Sequence, residues 1–175
     1  MRGNQNTAQN RNKILFREVQ YNRQFLPWTI IMVISILLTC GFIWQVILGN
    51  TFGPNPAPDI VLTVFFGIFG LALPVFFAAM NLTIEVRSDG LYYRFFPFHL
   101  TFRRIPHNQL KNAKVSIYHP LAEYGGWGIR FGLHGTAYNV SGNMGVRLSL
   151  DGRSPLLIGS RYPEKLLTSL IRPGR

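Results

Sequence analysis

The sequence predicts a membrane α-helical hairpin followed by a mainly β domain. Two apolar runs, 26–48 and 60–80, contain no Lys, Arg, Asp or Glu. At about 1.5 Å per residue, each run can cross a bilayer core of about 30 Å. After Met80, apolar and polar residues alternate, which is typical of β-strands. The apolar face of the segment from Tyr162 to Ile171 predicts a single C-terminal helix.

The charge distribution predicts an orientation for the hairpin. The 175 residues contain 18 Lys and Arg against 7 Asp and Glu. Net charge is +4 over residues 1–25, −1 over 49–59 and +8 over 81–175. Because basic residues favour the cytoplasmic side, both termini are predicted to be cytoplasmic and the turn to face outward. The predicted divisions are a basic, partly disordered N-terminal segment (1–25), the hairpin (26–80) and a cytoplasmic domain (81–175).

Several residues at the ends of the apolar runs are predicted to lie at the membrane interface. Tryptophan favours the headgroup region, and basic side chains favour the cytoplasmic headgroups. The predicted interface residues are Arg17, Arg23, Trp28, Trp44 and Arg87. Within the second run, Pro74 is expected to bend the helix, since proline cannot donate a backbone hydrogen bond.

The segment before the first apolar run is ambiguous. Residues 1–12 have almost nothing to bury and are expected to be disordered. Leu15, Val19 and Leu26 then recur near helical spacing beside basic residues, which favours a short helix in the headgroup layer. Two alternatives are a helical extension of the first span and an added strand on the domain.

The domain after the hairpin is predicted to contain roughly seven short strands. Ser88-Asp89-Gly90 and Asp151-Gly152 are turn and hairpin signals. A further hairpin is expected between 128–133 and 136–140, and a short helical turn near Pro106. Seven strands closed by a C-terminal helix are the order of a pleckstrin-homology-like (PH-like) barrel or sandwich.

Six segments of the sequence carry a resemblance to known proteins. They are Phe16 to Gln20, Gly125 to Arg130, Tyr138 to Gly142, Gly145 to Leu148, Leu157 to Ser160, and Pro163-Glu164. On these segments, the sequence resembles uncharacterised bacterial membrane proteins that pair two N-terminal helices with a PH-like domain. The resemblance spans most of residues 14–171 and implies an integral protein of the bacterial inner membrane. It implies architecture and no activity.

The ionisable residues show no catalytic or metal-binding pattern. The acids after residue 80 are scattered, the four histidines have no i, i+4 pair, and Cys40 is the single cysteine. No catalytic residue, metal ligand or cofactor is therefore predicted, and the protein is expected not to be an enzyme. The glycine-rich run Gly125, Gly126, Trp127 and Gly128 precedes a strand, which favours a structural turn over a ligand-facing loop.

Two groups of side chains are candidates for surface contacts. The candidates for contact with an anionic surface are Arg94, Arg103, Arg104, Lys111 and Lys114. Arg103 and Arg104 are adjacent, so they are expected on opposite faces of a strand. Phe96 and Phe98 are either core residues or an apolar wedge that enters a membrane or contacts a partner.

These observations predict a non-enzymatic interaction module at the cytoplasmic membrane face. It would bind a protein partner, an anionic lipid surface or itself, and a homo-oligomer or a membrane protein complex is expected. The alternative is an accessory factor for assembly of, or stress response by, a larger membrane complex. The absence of a recognition-helix motif argues against nucleic-acid binding.

Overall fold

The computed structural model describes residues 13–51, 53–132 and 135–172. They form two compact units, a helical unit from Asn22 to Met80 and a β unit from the residues before and after it. We call these units the hairpin and the β-domain. The disorder predicted for residues 1–12 lies outside the described residues.

The hairpin consists of two helices, each long and apolar enough to cross a membrane. Helix α1 covers Phe25–Ile47 and helix α2 covers Asp59–Ala79, which confirms both predicted helices to within one residue. The α2 segment Phe66–Ala72 is π-helical and lies just before Pro74. Because Pro74 cannot donate a backbone hydrogen bond, the widened turn there accommodates it without ending the helix.

Small and polar groups dominate the buried positions of the hairpin. Ser35 and Gln45 are buried in α1, and Gly70 is buried in α2. The Ser35 hydroxyl donates to the Phe69 carbonyl oxygen at 3.4 Å. The Gln45 side-chain amide donates to the Ala57 carbonyl oxygen at 2.6 Å and to Asp59 Oδ1 at 2.7 Å.

The first sheet of the β-domain is antiparallel and has the strand order β1-β2-β3-β4. Its strands are β1 Ile14–Tyr21, β2 Asn81–Arg87, β3 Gly90–Phe96 and β4 Arg103–Pro106. Strand β1 pairs with β2 from Ile14–Arg87 to Tyr21–Asn81. The interfacial helix predicted for this segment is therefore wrong, and the added-strand alternative is the one observed.

The second sheet has the strand order β5-β8-β9-β7-β6. Its strands are β5 Leu110–Ile117, β6 Gly128–Gly132, β7 Gly135–Asn139, β8 Met144–Leu150 and β9 Leu156–Gly159. Strands β7 and β9 are parallel, and the other pairs are antiparallel. The hairpins predicted at Asp151-Gly152 and between 128–133 and 136–140 are confirmed.

Three short helical segments complete the β-domain. They are a 3₁₀ turn at His107–Gln109, helix α3 at Pro120–Tyr124 and helix α4 at Pro163–Ile171. The predicted helical turn and C-terminal helix are confirmed, whereas α3 was not predicted. The described residues thus form nine strands rather than roughly seven, in two sheets with a C-terminal helix.

The core of the β-domain lies on the inner faces of both sheets. Leu82, Ile84 and Val86 alternate along β2 and have no exposed surface. Leu166 and Leu170 of α4 are also buried. Burial of each such side chain stabilises the fold by about 1.5–3 kcal/mol.

Candidate functional site

A cleft of about 830 Å³ lies between the two sheets of the β-domain. This volume is within the range of small-molecule sites, about 300–1,000 Å³. Strands β3 and β4 of the first sheet form one side, and β6, β7 and the β8–β9 region form the other. Its aliphatic and phenylalanine side chains are Phe98, Ile105, Ile129, Phe131, Leu150 and Leu156.

Two tyrosines and a histidine join the two sheets at the cleft. The rings of Tyr93 and Tyr138 have centroids 4.9 Å apart, and those of His99 and Tyr138 are 5.5 Å apart. Burial, reinforced by the neighbouring Tyr138, raises the pKa of Tyr93 to about 12. The Tyr93 hydroxyl is therefore protonated near neutral pH and is available for neutral hydrogen bonding.

The charged side chains that line the cleft are all basic. Among the described lining residues, Arg103, Arg104 and Arg153 are basic and none is Asp or Glu. Arg104 pairs with Asp89 at 2.9 Å. Arg103 donates to the Tyr138 hydroxyl at 3.3 Å. Neither Arg103 nor Arg153 has a carboxylate partner among the described residues, so the cleft carries uncompensated positive charge.

His99 adds a polar group without a hydrogen-bond partner. Its Nδ1 atom is buried and unpaired among the described residues. Burial lowers the pKa of His99, and the nearby Arg103 charge lowers it further. The imidazole is therefore mainly neutral at pH 7 and can donate or accept one hydrogen bond.

The structure separates the five basic residues that were proposed to contact an anionic surface. Arg103 and Arg104 line the cleft. Arg94 lies over the Phe102 ring at 5.0 Å, Lys111 pairs with Asp151 at 2.5 Å, and Lys114 is exposed on β5.

The register of β3 and β4 places the two adjacent arginines on opposite faces, as predicted. Arg103 is opposite the cleft residue Tyr93, whereas Arg104 is opposite Tyr92. The Arg104 guanidinium lies 5.8 Å from the Tyr92 ring centroid. Of the two, Arg103 therefore lies on the same face as Tyr93, although both arginines are among the residues that line the cleft.

The two candidate wedge residues also have different surroundings. Phe98 is 59% exposed and lines the cleft. Phe96 is half-buried at the end of β3, where it is opposite Asn81 of β2. The two side chains therefore do not share one exposed surface, and only Phe98 belongs to the cleft.

The predicted interface residues fall in both units. In the β-domain, Arg17 and Arg87 both contact Glu85, at 3.5 Å and 2.7 Å. In the hairpin, Trp28 donates to the Asn22 carbonyl oxygen at 2.9 Å. Arg23 and Trp44 are exposed.

The glycine-rich run forms a compact turn outside the cleft. Gly125 ends α3 with φ of 68°, and Gly126 and Gly128 also have positive φ. The Trp127 indole donates to the Gly142 carbonyl oxygen at 2.9 Å, and the Gly128 N–H donates to Asn139 Oδ1 at 2.9 Å. These contacts use the glycines for backbone geometry and the indole for packing.

A pair of buried polar residues holds β1 against the turn after β9. Glu18 accepts hydrogen bonds from the Ser160 hydroxyl at 2.6 Å and from the Arg161 N–H at 2.8 Å. Gln20 donates to the Gly159 carbonyl oxygen at 2.8 Å. We call these contacts the β1 clasp. They join residues about 140 positions apart, and they are structural because none of these residues lines the cleft.

Sequence reasoning missed four of the polar residues in the cleft. They are Tyr93, His99, Tyr138 and Arg153, and the sequence patterns assign none of them to a binding site. No local pattern joins them, because they come from β3, β7 and two loops that meet only through sheet packing. The one available signal was the number of basic and aromatic residues near Arg103.

A family model matches residues 8–171 and is described as a family of unknown function, DUF6141. No curated protein and no solved structure matches the chain. Since the match covers most of the chain, this protein belongs to the DUF6141 family.

Proposed function

We propose that this protein is a membrane-anchored, non-enzymatic binding module. In this proposal the hairpin crosses the bacterial inner membrane and the β-domain lies at its cytoplasmic face. The β-domain binds an anionic lipid component there. The observation that carries the proposal is an exposed apolar hairpin inserted between two paired strands of a basic domain.

The exposure of the hairpin supports a membrane location. In the most apolar stretch of each helix, 17% of α1 residues and 6% of α2 residues are buried. A core helix of a soluble protein would bury most of its apolar residues, because their exposure to water is unfavourable. In a bilayer, the same side chains contact hydrocarbon instead of water, so the penalty does not arise.

The connections between the units are short. Tyr21 ends β1 and Phe25 begins α1, while Ala79 ends α2 and Asn81 begins β2. Three residues therefore separate β1 from α1, and Met80 alone separates α2 from β2. Both ends of the hairpin thus lead into neighbouring strands, which favours both termini lying on one side of the membrane. The basic flanks favour the cytoplasmic side.

The β-domain shares several features with a PH-like fold. Its first sheet is a four-stranded antiparallel sheet, its second sheet packs across a common core, and a helix closes the chain. The parallel β7–β9 pair and the total of nine described strands differ from a simple seven-stranded barrel. We propose a PH-like domain with an added N-terminal strand and an elaborated second sheet.

The placement of the carboxylates supports a binding role over catalysis. Five carboxylates of the β-domain form ion pairs or hydrogen bonds within it, and none of the described acids lines the cleft. The residues are Glu18, Glu85, Asp89, Glu123 and Asp151.

Membrane extraction tests the anchor. Full-length protein should stay with membranes after alkaline carbonate washing, and release into the wash would contradict the proposal. For orientation, Cys40→Ser provides a cysteine-free background. In right-side-out vesicles, an impermeant maleimide should label Asn55→Cys in the turn and spare Asn108→Cys in the β-domain. The reverse labelling pattern would overturn the cytoplasmic placement.

A second candidate is an accessory factor for a larger membrane complex. Ile117 and Leu121 of the β-domain are 70% and 69% exposed, which is suited to contact with another protein. Native mass spectrometry from mild detergent separates the two candidates. A stoichiometric unlike partner would favour the accessory role, whereas the chain alone or self-associated with bound lipid would favour the binding module.

A further inference from the structure

We propose that the cleft between the two sheets binds one anionic single-chain amphiphile, such as a fatty acid or a lysophospholipid. The anionic group would contact Arg103 and Arg153, and the acyl chain would lie along the apolar walls. This inference deepens the proposed binding function by naming a site and a ligand class. It does not depend on the membrane anchor.

The unpaired positive charge accounts for the anionic group. Arg103 and Arg153 line the same cleft without a carboxylate partner among the described residues. Arg104 differs because Asp89 neutralises it. A carboxylate or phosphate group satisfies guanidinium donors through charge-assisted hydrogen bonds, so charge complementarity selects an anion.

The polar groups beside Arg103 would help to orient that anion. The Tyr138 hydroxyl already accepts a hydrogen bond from Arg103 at 3.3 Å, and a tyrosine hydroxyl can also donate one. The buried Nδ1 of His99 lacks a partner among the described residues. Few convergent polar groups in a mainly apolar pocket are typical of small-ligand sites.

The remaining lining favours a ligand with a hydrocarbon chain over a free anion. Phe131 and Phe98 are 81% and 59% exposed at the cleft. Ile129, Leu150 and Leu156 extend the apolar surface along the second sheet. Inorganic phosphate would leave this surface in water, whereas an acyl chain would bury it.

Photo-crosslinking of the full-length protein in phosphatidylcholine nanodiscs tests the proposal. The probe is a palmitic acid analogue with a diazirine near the chain end, and crosslinked peptides are mapped by mass spectrometry. We expect crosslinks in peptides that contain residues 129–131 or 150–156. Unlabelled palmitate and lysophosphatidic acid should compete, whereas hexadecanol and inorganic phosphate should not.

Matched variants test the role of the arginines. Arg103→Gln with Arg153→Gln should reduce crosslinking in the cleft at least about tenfold, because both charged donors are lost. Lys114→Gln with Lys165→Gln removes the same charge outside the cleft and should leave crosslinking within about twofold of the wild type. Circular dichroism checks that each variant folds. If the arginine variant unfolds, the test uses Ser154→Trp instead. This substitution lies in an exposed loop and fills the cleft, so we expect the same loss of crosslinking.

Each outcome decides the proposal. Crosslinks confined to residues 22–80 would show probe around the helices only and would overturn the cleft site. Equal competition by hexadecanol would overturn the anionic requirement. The competition curves of palmitate and lysophosphatidic acid show whether the cleft prefers the carboxylate of a fatty acid or the phosphate of a lysophospholipid. Carbonate extraction reports the anchor and peptide mapping reports the cleft, so each proposal fails by its own measurement.

Discussion

The hairpin and the β-domain use apolar residues in opposite ways. In the β-domain, Leu157 is 1% exposed and its neighbours along β9 are also buried. In the hairpin, Leu37 is 67% exposed although its helix has a mean hydropathy of 2.4. This difference supports the proposed membrane location of the hairpin, because exposed apolar side chains are unfavourable in water.

Buried polar groups differ between the two regions as well. The β-domain buries a full carboxylate, Glu18, against donors from the turn after β9. The hairpin buries neutral Ser35 and Gln45, whose side chains bond to backbone oxygens or to Asp59. The buried carboxyl group of Glu18 is satisfied by several converging donors, whereas the buried polar side chains of the hairpin are themselves uncharged.

The largest expected effect on stability comes from making the same Leu→Ala substitution in each of the two regions. Leu157→Ala should lower the free energy of unfolding of the β-domain by about 2–5 kcal/mol, because it leaves a cavity in a packed core. Leu37→Ala should change stability by no more than about 0.5 kcal/mol, because its side chain packs against little protein. Denaturant unfolding of the full-length protein in nanodiscs, followed by near-ultraviolet circular dichroism, measures both. Similar losses for the two variants would contradict the assignment of different surroundings.

A smaller effect tests whether β1 belongs to the β-domain. Glu18→Ala should destabilise the domain by about 2–3 kcal/mol, since the Ser160 hydroxyl and the Arg161 N–H lose a buried acceptor. Hydrogen exchange should become faster in β1 and at residues 159–161. Glu164→Ala, at an exposed position in the first turn of α4, should cost no more than about 1 kcal/mol. Unchanged exchange in β1 after loss of Glu18 would show that the clasp does not hold the strand.

The smallest expected effect concerns the hairpin. Gln45→Ala removes the hydrogen bonds to Ala57 and Asp59 and should weaken the hairpin by about 0.6 kcal/mol, as is common for polar contacts between membrane helices. Unfolding in mixed detergent micelles measures this loss. Thr63→Ala, which removes only a bond to its own helix at Asp59, is the control. If Gln45→Ala lost more stability than Glu18→Ala, the expected order of the two effects would be contradicted.

The sequence predicted the hairpin well because a long apolar run without charges is compatible with few structures other than a long apolar helix. It also predicted the turns at Asp89-Gly90 and Asp151-Gly152, where the local chemistry favours tight reversal. It failed at β1 because the core-facing residues of that strand are Glu18 and Gln20. Their polarity hid the alternation, and Leu15, Val19 and Leu26 then suggested a helix. The β-branched and aromatic residues Ile14, Phe16 and Tyr21 were the signal for a strand.

The residues of the cleft could not be predicted from the sequence for the same reason. Arg103 was identified as a basic surface residue, but nothing near it in sequence indicates Tyr138 or Arg153. These residues meet only because the first sheet packs face to face with the second, whose strand order is non-sequential.

The sequence by itself determined the two long apolar helices, their basic flanks and the β character of the remaining chain. These properties depend on residue composition and on neighbours within a few positions. Tertiary structure alone decided that β1 joins the domain after the hairpin and that Arg103 and Arg153, which have no carboxylate partner among the described residues, share an apolar cleft. Both depend on contacts between distant segments, whose partners are selected by packing and hydrogen-bond satisfaction over the whole domain.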